Sequence, residues 1–302
     1  MKISVNKIAQ LTGHNSAIFA LTAGEQANEF VSGAGDGWIV RWNLSDPEMG
    51  RLIAKVDTQI FSLLYLSDRE MIVAGNMNGG VHWVDLKNAE NNRNIAHHKK
   101  GVFGICRTDD SIFTVGGAGL LTRWSIDTFR TVESLHLTNH SLRCIDYHSG
   151  RNELAVGTSD NSIYLLEAQT LKIKRQLISA HDNSVFSIRY TMDGQKLLSG
   201  SRDAHLKVWD LENDCTLSFK EPAHLFTIND IVFHPEGLWF ATASRDKSVK
   251  IWDAQSFQLL KVLEGVRDGG HFNSVNRLYW SNYRGQLISA SDDRSMIVWE
   301  VA

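Results

Sequence analysis

The sequence predicts an all-β fold, a seven-bladed propeller with four antiparallel strands per blade, and three observations carry that prediction. Short runs that alternate apolar and polar residues follow one another between polar turns, the pattern of half-buried strands. The turn before the third run of each unit recurs at residues 36, 78, 118, 160, 203, 246 and 293, at intervals of 42, 40, 42, 43, 43 and 47 residues. A period of roughly 40–45 residues with four strands to the unit is in the propeller range. Of nine tryptophans, Trp42, Trp124, Trp209, Trp252 and Trp299 each stand six residues after such a turn.

Residues 179–210 show the unit at its clearest. Ala180-His181 opens it, runs 185–190 and 196–200 follow, Asp203 makes the break, and run 206–209 ends on Trp209-Asp210. Three strands in so short a span form a meander that needs neighbours. The first unit has Gly13-His14, Ser32, Asp36 and Trp42, and the second keeps only the rhythm, with Ala74, Asn78 and Val84-Asp85. The third shows His98, Thr114, Ala118 and Trp124; in the fourth, Asp160 and Leu166-Glu167 hold the spacing while Thr138 and Val156 replace the His and Ser. The fifth has His181, Ser199, Asp203 and Trp209, the sixth His224, Thr242, Asp246 and Trp252, and the seventh His271, Ser289, Asp293 and Trp299. The seventh unit ends after its third strand, and residues 5–11 stand where other units have their outer strand, so the N-terminal strand is expected to complete the last blade and remove an open edge.

Composition excludes several classes. Three prolines and no Ser- or Gly-rich linker mark no domain boundary, so 1–302 is read as a single domain. A formal charge of −3 implies neither a nucleic-acid nor a membrane partner. Cys106, Cys144 and Cys215 are odd in number and widely spaced, against a disulfide framework or zinc site. No signal peptide or membrane span is read from the apolar pattern, so a cytoplasmic, soluble, monomeric propeller is expected, a minimal adaptor without further domains.

Gly-His at the start of these units and Trp-Asp at their end resemble the WD40-repeat family over essentially the whole chain. In that family an N-terminal strand closes the last blade. The resemblance also implies that His, Ser or Thr, Asp and Trp form a buried chain of hydrogen bonds, here His14/Ser32/Asp36/Trp42, His181/Ser199/Asp203/Trp209, His224/Thr242/Asp246/Trp252 and His271/Ser289/Asp293/Trp299. A hydrolase would need His-Ser-Asp once. Four copies point to a structural network that satisfies buried donors and fixes register.

Other suggestive motifs fail on context. Gly33-Ala-Gly-Asp-Gly37 and Gly116-Gly-Ala-Gly119 are followed by strands, whereas a phosphate cradle needs a helix there. His97-His98-Lys99-Lys100 is the one concentrated basic run, without aromatic interleaving. Phe129-Arg130-Thr131-Val132 lacks the second Arg and the Gly of a phosphoinositide-binding propeller motif. On the innermost strands only Asp230 and Arg277 are charged at the third position, an expected ion pair and not a metal set, which needs about three protein ligands. No cofactor and no metal are expected.

Function is then expected at a partner-binding face. In the family, partners dock through residues three and five places after the structural His and one before the turn Asp. The fifth-place set is Phe19, Phe61, Phe103, Arg143, Phe186, Asn229 and Asn276; the pre-turn set is Gly35, Met77, Gly117, Ser159, Arg202, Arg245 and Asp292. Phe19, Phe61, Met77 and Phe103 form an apolar sector, and Arg143, Arg202 and Arg245 with Phe186 and Asn229 a basic one, a composition typical of binding hot spots. The expected function is a non-catalytic scaffold that binds a protein or peptide on this face. The alternative is an enzyme or small-ligand site in the central channel, and nucleic acid on the arginines is a third reading.

Overall fold

Alternation buries one residue in two, so each run forms a strand whose apolar face must be covered by another sheet. The computed structural model describes residues 3–302 of the 302; Met1 and Lys2, within the expected 1–302 domain, lie outside the described residues. The chain forms seven antiparallel sheets of four strands each. In the fifth, Val185–Tyr190, Lys196–Ser201, Leu206–Asp210 and Thr216–Glu221 pair in sequence order, which extends each expected run by at most one residue. The other helical content is slight, including a single turn at Gly265–Asp268 where the last period is lengthened.

Burial is graded across each sheet. Second strands such as Ser111–Gly116, Glu153–Thr158 and Trp239–Ser244 are buried throughout, whereas fourth strands such as Thr131–His136 and Thr216–Glu221 are largely exposed. The chain divides into two compact units, one of the described residues up to Ala74 with Val84–Arg93 and Asn229–Ala302, the other of Gly75–Trp83 with Asn94–Ile228. In the first unit Phe30, Trp42, Met296 and Val298 share one core cluster and Trp239, Trp280 and Trp299 another. In the second, Phe113, Leu121, Leu154 and Tyr164 form one cluster and Val185, Leu197 and Trp209 another.

The expected closure is present. Val5–Thr12 pairs antiparallel with Ser295–Val301, from Val5 opposite Val301 to Thr12 opposite Ser295, giving a sheet of one N-terminal and three C-terminal strands. Ser4 and Ala302 extend the ladder, with Ser4 N–H donating to the Ala302 carbonyl at 2.7 Å and the reverse bond at 3.0 Å.

One aromatic lies outside the sequence reading. The second repeat has Val84 at the Trp place, as expected, but Trp83 stands one residue earlier and, on a strand, faces the opposite side from Val84. It is fully buried, 4.8 Å from the Phe129 ring and 6.4 Å from that of Trp124.

Candidate interaction site

The His-Ser-Asp trios form relays that end on tryptophan. In the first repeat His14 Nε2 lies 2.7 Å from Ser32 Oγ, His14 Nδ1 3.0 Å from Asp36, and the Trp42 indole donates to Ser32 at 2.8 Å. The fifth repeats this through His181, Asp203 at 2.9 Å, Ser199 at 2.8 Å and Trp209 at 2.9 Å. The seventh does so through His271, with Asp293, Ser289 and the Trp299 link to Ser289 all at 2.9 Å. In the sixth, which contains His224 and Asp246, Trp252 donates to Thr242 at 3.0 Å. Burial holds the His14 and His181 imidazoles below their ordinary value of 6.5, so they are neutral. Each serine is fully buried between an indole and an imidazole, so it offers no exposed nucleophile.

The incomplete repeats improvise. Thr138, at a His position, donates to Asp160 at 2.8 Å, and Thr158 also donates to Asp160. In the second repeat Asn76 caps the turn, accepting from the amides of Asn78 and Gly80 at 3.0 and 2.8 Å and meeting His82 Nε2 at 2.8 Å. In the third, His98 bridges to Thr114 at 2.8 Å, and Trp124 donates to the same oxygen at 2.8 Å.

The fifth-place residues have a common backbone cause that the sequence did not reveal. The pairing of first with second strands slips between Ile18 and Ala20, Val102 and Gly104, Leu142 and Cys144, Val185 and Ser187, and Val275 and Arg277. The residues caught in these bulges are Phe19, Phe103, Arg143, Phe186 and Asn276. A bulge leaves one residue unpaired and re-aims its side chain. Each is half-buried, and its flanking residues are buried except Gly104 and Arg277, which are half-buried as well.

Their pre-turn partners lie across the same sheet. Arg143 Nε donates to Ser159 Oγ at 2.8 Å, and Asn276 Nδ2 to Asp292 at 2.7 Å. Where the bulge residue is Phe19 or Phe103, the pre-turn residue is Gly35 or Gly117; a Cβ there would sit 3.5 Å from the Phe19 ring and 3.1 Å from that of Phe103.

In the first unit Phe19 meets Phe61 edge to face at 5.3 Å. Asn229 spends its amide on Ser274 Oγ at 3.1 Å and the Val275 carbonyl at 2.8 Å, and Asn276 also donates to the Ile18 carbonyl at 3.0 Å. These two amides tie neighbouring strands together. Arg245 is exposed. Arg277 does pair with Asp230, at 3.5 Å, and its guanidinium reaches the carbonyls of Phe19 at 3.3 Å and Phe61 at 3.5 Å. In the second unit the Arg143 guanidinium lies 4.7 Å from the Phe103 ring centre and 5.1 Å from that of Phe186. Met77 and Arg202 are exposed.

A model of the WD domain, G-beta repeat family matches residues 172–210, 213–253 and 258–300. The WD40 β-propeller domain of Doa1 superposes with a TM-score of 0.86 over 98% of this chain and 97% of that one, at 19% identity, a likeness of fold alone. The chain has the fold of a WD40 β-propeller, and three of its repeats match the WD-repeat family model. Its WD40 repeats matched by the family model are the fifth to seventh; the first, with the same four residues, lies outside the matched segments. Among curated proteins it is similar to Protein tipD of Dictyostelium discoideum, 24% identical over 96% of this chain and 48% of that protein. It is also similar to the guanine nucleotide-binding protein subunit beta of Saccharomyces cerevisiae (strain ATCC 204508 / S288c), 22% identical over 67% of this chain and 48% of that protein. The chain thus spans about half the length of each. Among the described residues no three His, Cys, Asp or Glu side chains gather as a metal set, and no helix is long and apolar enough to cross a membrane.

Proposed function

We propose that this propeller is a non-catalytic protein-interaction platform that binds a protein or peptide at the edge where its first strands begin. The observation that carries this reading is the recurrent bulge. It lifts a large side chain out of the ladder at the same place in repeat after repeat, and those side chains are Phe or Arg more often than the packing of the sheet requires. Asn229 and Asn276, with amides spent on neighbouring strands, serve the scaffold; Phe19, Phe61, Met77, Phe103, Arg143, Phe186, Arg202 and Arg245 carry the contacts. WD40 propellers such as the β subunit relative are generally protein-binding and generally not enzymes, which agrees with this reading. For a channel enzyme no comparable observation exists, because Arg277 and Asp230 are occupied with each other. The platform is proposed to be a single monomeric domain of the cytoplasm, where its three cysteines, which form no disulfide among the described residues, would persist as thiols.

The test is affinity capture with the wild-type chain and the Phe61→Ala/Phe103→Ala double variant. The rings are half-buried, so truncation should cost about 1–2 kcal/mol each, less than the roughly 3–5 of a fully buried ring. Capture should fall at least about tenfold, as for loss of hot-spot aromatics. A variant that melts far below the wild type, or that captures the same proteins equally well, refutes the proposal.

A further inference from the structure

Several arginines of the second compact unit are matched with carboxylates. Arg123 pairs with Glu133, Arg151 with Glu153 at 3.4 Å and Glu212 at 2.7 Å, and Arg175 with Asp214. Arg143 is held differently. Its Nε is held by Ser159 Oγ at 2.8 Å, and its plane stacks on Phe103 and Phe186. Among the described residues no protein group accepts from its terminal nitrogens, and no ion pair includes Arg143, Arg202, Lys99 or Lys100.

The position is electrostatically unsatisfied. Burial between two rings disfavours the guanidinium charge, and Arg202 nearby disfavours it further. Lys100 adds a third cation on the same side, its stem beside Phe103 across the side-chain-free Gly117. A half-buried charge is stable when paired and hydrogen-bonded, and here the chain supplies stacking and one oxygen but no anion. The ring contacts and the Ser159 bond fix the guanidinium in advance, which lowers the entropy cost of binding through its fork.

We propose that Arg143, braced by Phe103 and Phe186 and assisted by Arg202, receives the anionic group of an acidic partner peptide, a carboxylate or phosphate flanked by apolar residues that cover the two rings. This deepens the platform reading and rests on it. The fork of an arginine matches both anions bidentately, and the apolar rim shields the pair from water.

The experiment follows the Arg143 Nε–Hε signal by NMR in the full chain. The probes are inorganic phosphate, a short oligouridylate, and capped tripeptides with leucine on both sides of glutamate, phosphoserine or glutamine. A saturable shift with phosphate and with either acidic peptide is expected, and the glutamine peptide should bind at least about tenfold more weakly. Binding of the phosphoserine peptide alone identifies the phosphate source, and equal binding of the glutamate peptide the carboxylate; both support the site. Arg143→Lys keeps the charge but loses fork and stack, and should weaken the acidic peptides by a similar factor; Arg202→Gln should weaken them less, with both variants melting as the wild type does. An unmoved Arg143 signal, equal binding of the glutamine peptide, or a signal that responds only to an oligouridylate overturns the proposal, the last in favour of nucleic acid. Loss of partner capture in Phe61→Ala/Phe103→Ala alongside such a result would refute the anion site and leave the platform standing.

Discussion

His98 is buried, and its Nδ1 finds no hydrogen-bond partner among the described residues. In the first repeat the matching nitrogen bonds Asp36, whose carboxylate also accepts from the amides of Asn15 and Trp38, each at 2.9 Å. Ala118 stands at the Asp place of the third repeat, so Ala118→Asp should supply the missing acceptor. A gain of about 1 kcal/mol is expected, the net worth of one hydrogen bond. The His98 pKa, pushed down to about 4 by burial and by His97, should rise in the same variant. Denaturant midpoints and an NMR titration check both, and no change in either would show that the site has relaxed around the alanine. The sequence exposed this gap through spacing alone, but that His98 stays buried without the carboxylate was not legible.

The same histidines make acid the weak side of the molecule. Burial lowers His14, His98 and His181 below 6.5, so as pH falls through that value the unfolded chain takes up protons that the folded chain refuses. Asp203 and Asp293 are held below 3.8 by their histidines despite burial, so their contribution is present above that value and is lost beneath it. Stability should be level from about pH 7 to about 8 and decline from about 6.5 downward, by up to about 1.4 kcal/mol per pH unit for each such His. An unfolding midpoint that stays constant between pH 7 and 5 would contradict this.

At the scale of the element, the relays and the bulges do different work. A full relay links the loop before a first strand to the second strand and, through the indole, to the third. The fourth repeat stops short: Thr138, Thr158 and Asp160 secure the turn, but Val156 and Leu166 carry no link onward. Third-strand amides in Ile163–Glu167 should therefore exchange faster with solvent than those in Leu206–Asp210, and the second and third repeats should exchange faster than the fifth to seventh. Equal protection throughout would remove the relay as the cause. The bulges, by contrast, left no trace in the alternation. Ile18-Phe-Ala-Leu21 reads as a regular strand, and an inserted residue changes which way Phe19 points without changing its neighbours. Trp83 escaped for a related reason: the period located the strand, while the face depended on a single residue of register.

For the whole molecule, the period and the Gly-His and Trp-Asp boundaries sufficed to read seven four-stranded sheets and a sheet completed by the N-terminal strand. Only Leu11 of Val5–Thr12 is fully buried, so this strand is held chiefly by its ladder. Deleting residues 1–12 would bare the edge of Ser295–Val301 and uncover part of the Trp299 cluster. The deletion should abolish a single cooperative unfolding transition in calorimetry; an unchanged midpoint would show that the strand is dispensable. The partner-binding residues were legible as positions but not as geometry, since the stacking of Arg143 depends on bulges in three successive sheets.

The pairing of Val5 with Val301 also decides how the molecule responds to force. The two strands are antiparallel and the ladder begins at Ser4 and Ala302, so the outer ends of the two strands lie at the same corner. A pull applied through those ends loads the ladder one rung at a time, from Val5 and Val301 toward Thr12 and Ser295, and never shears all rungs together. The strand that closes the fold is therefore also its zip, opened rung by rung by a tension at its ends.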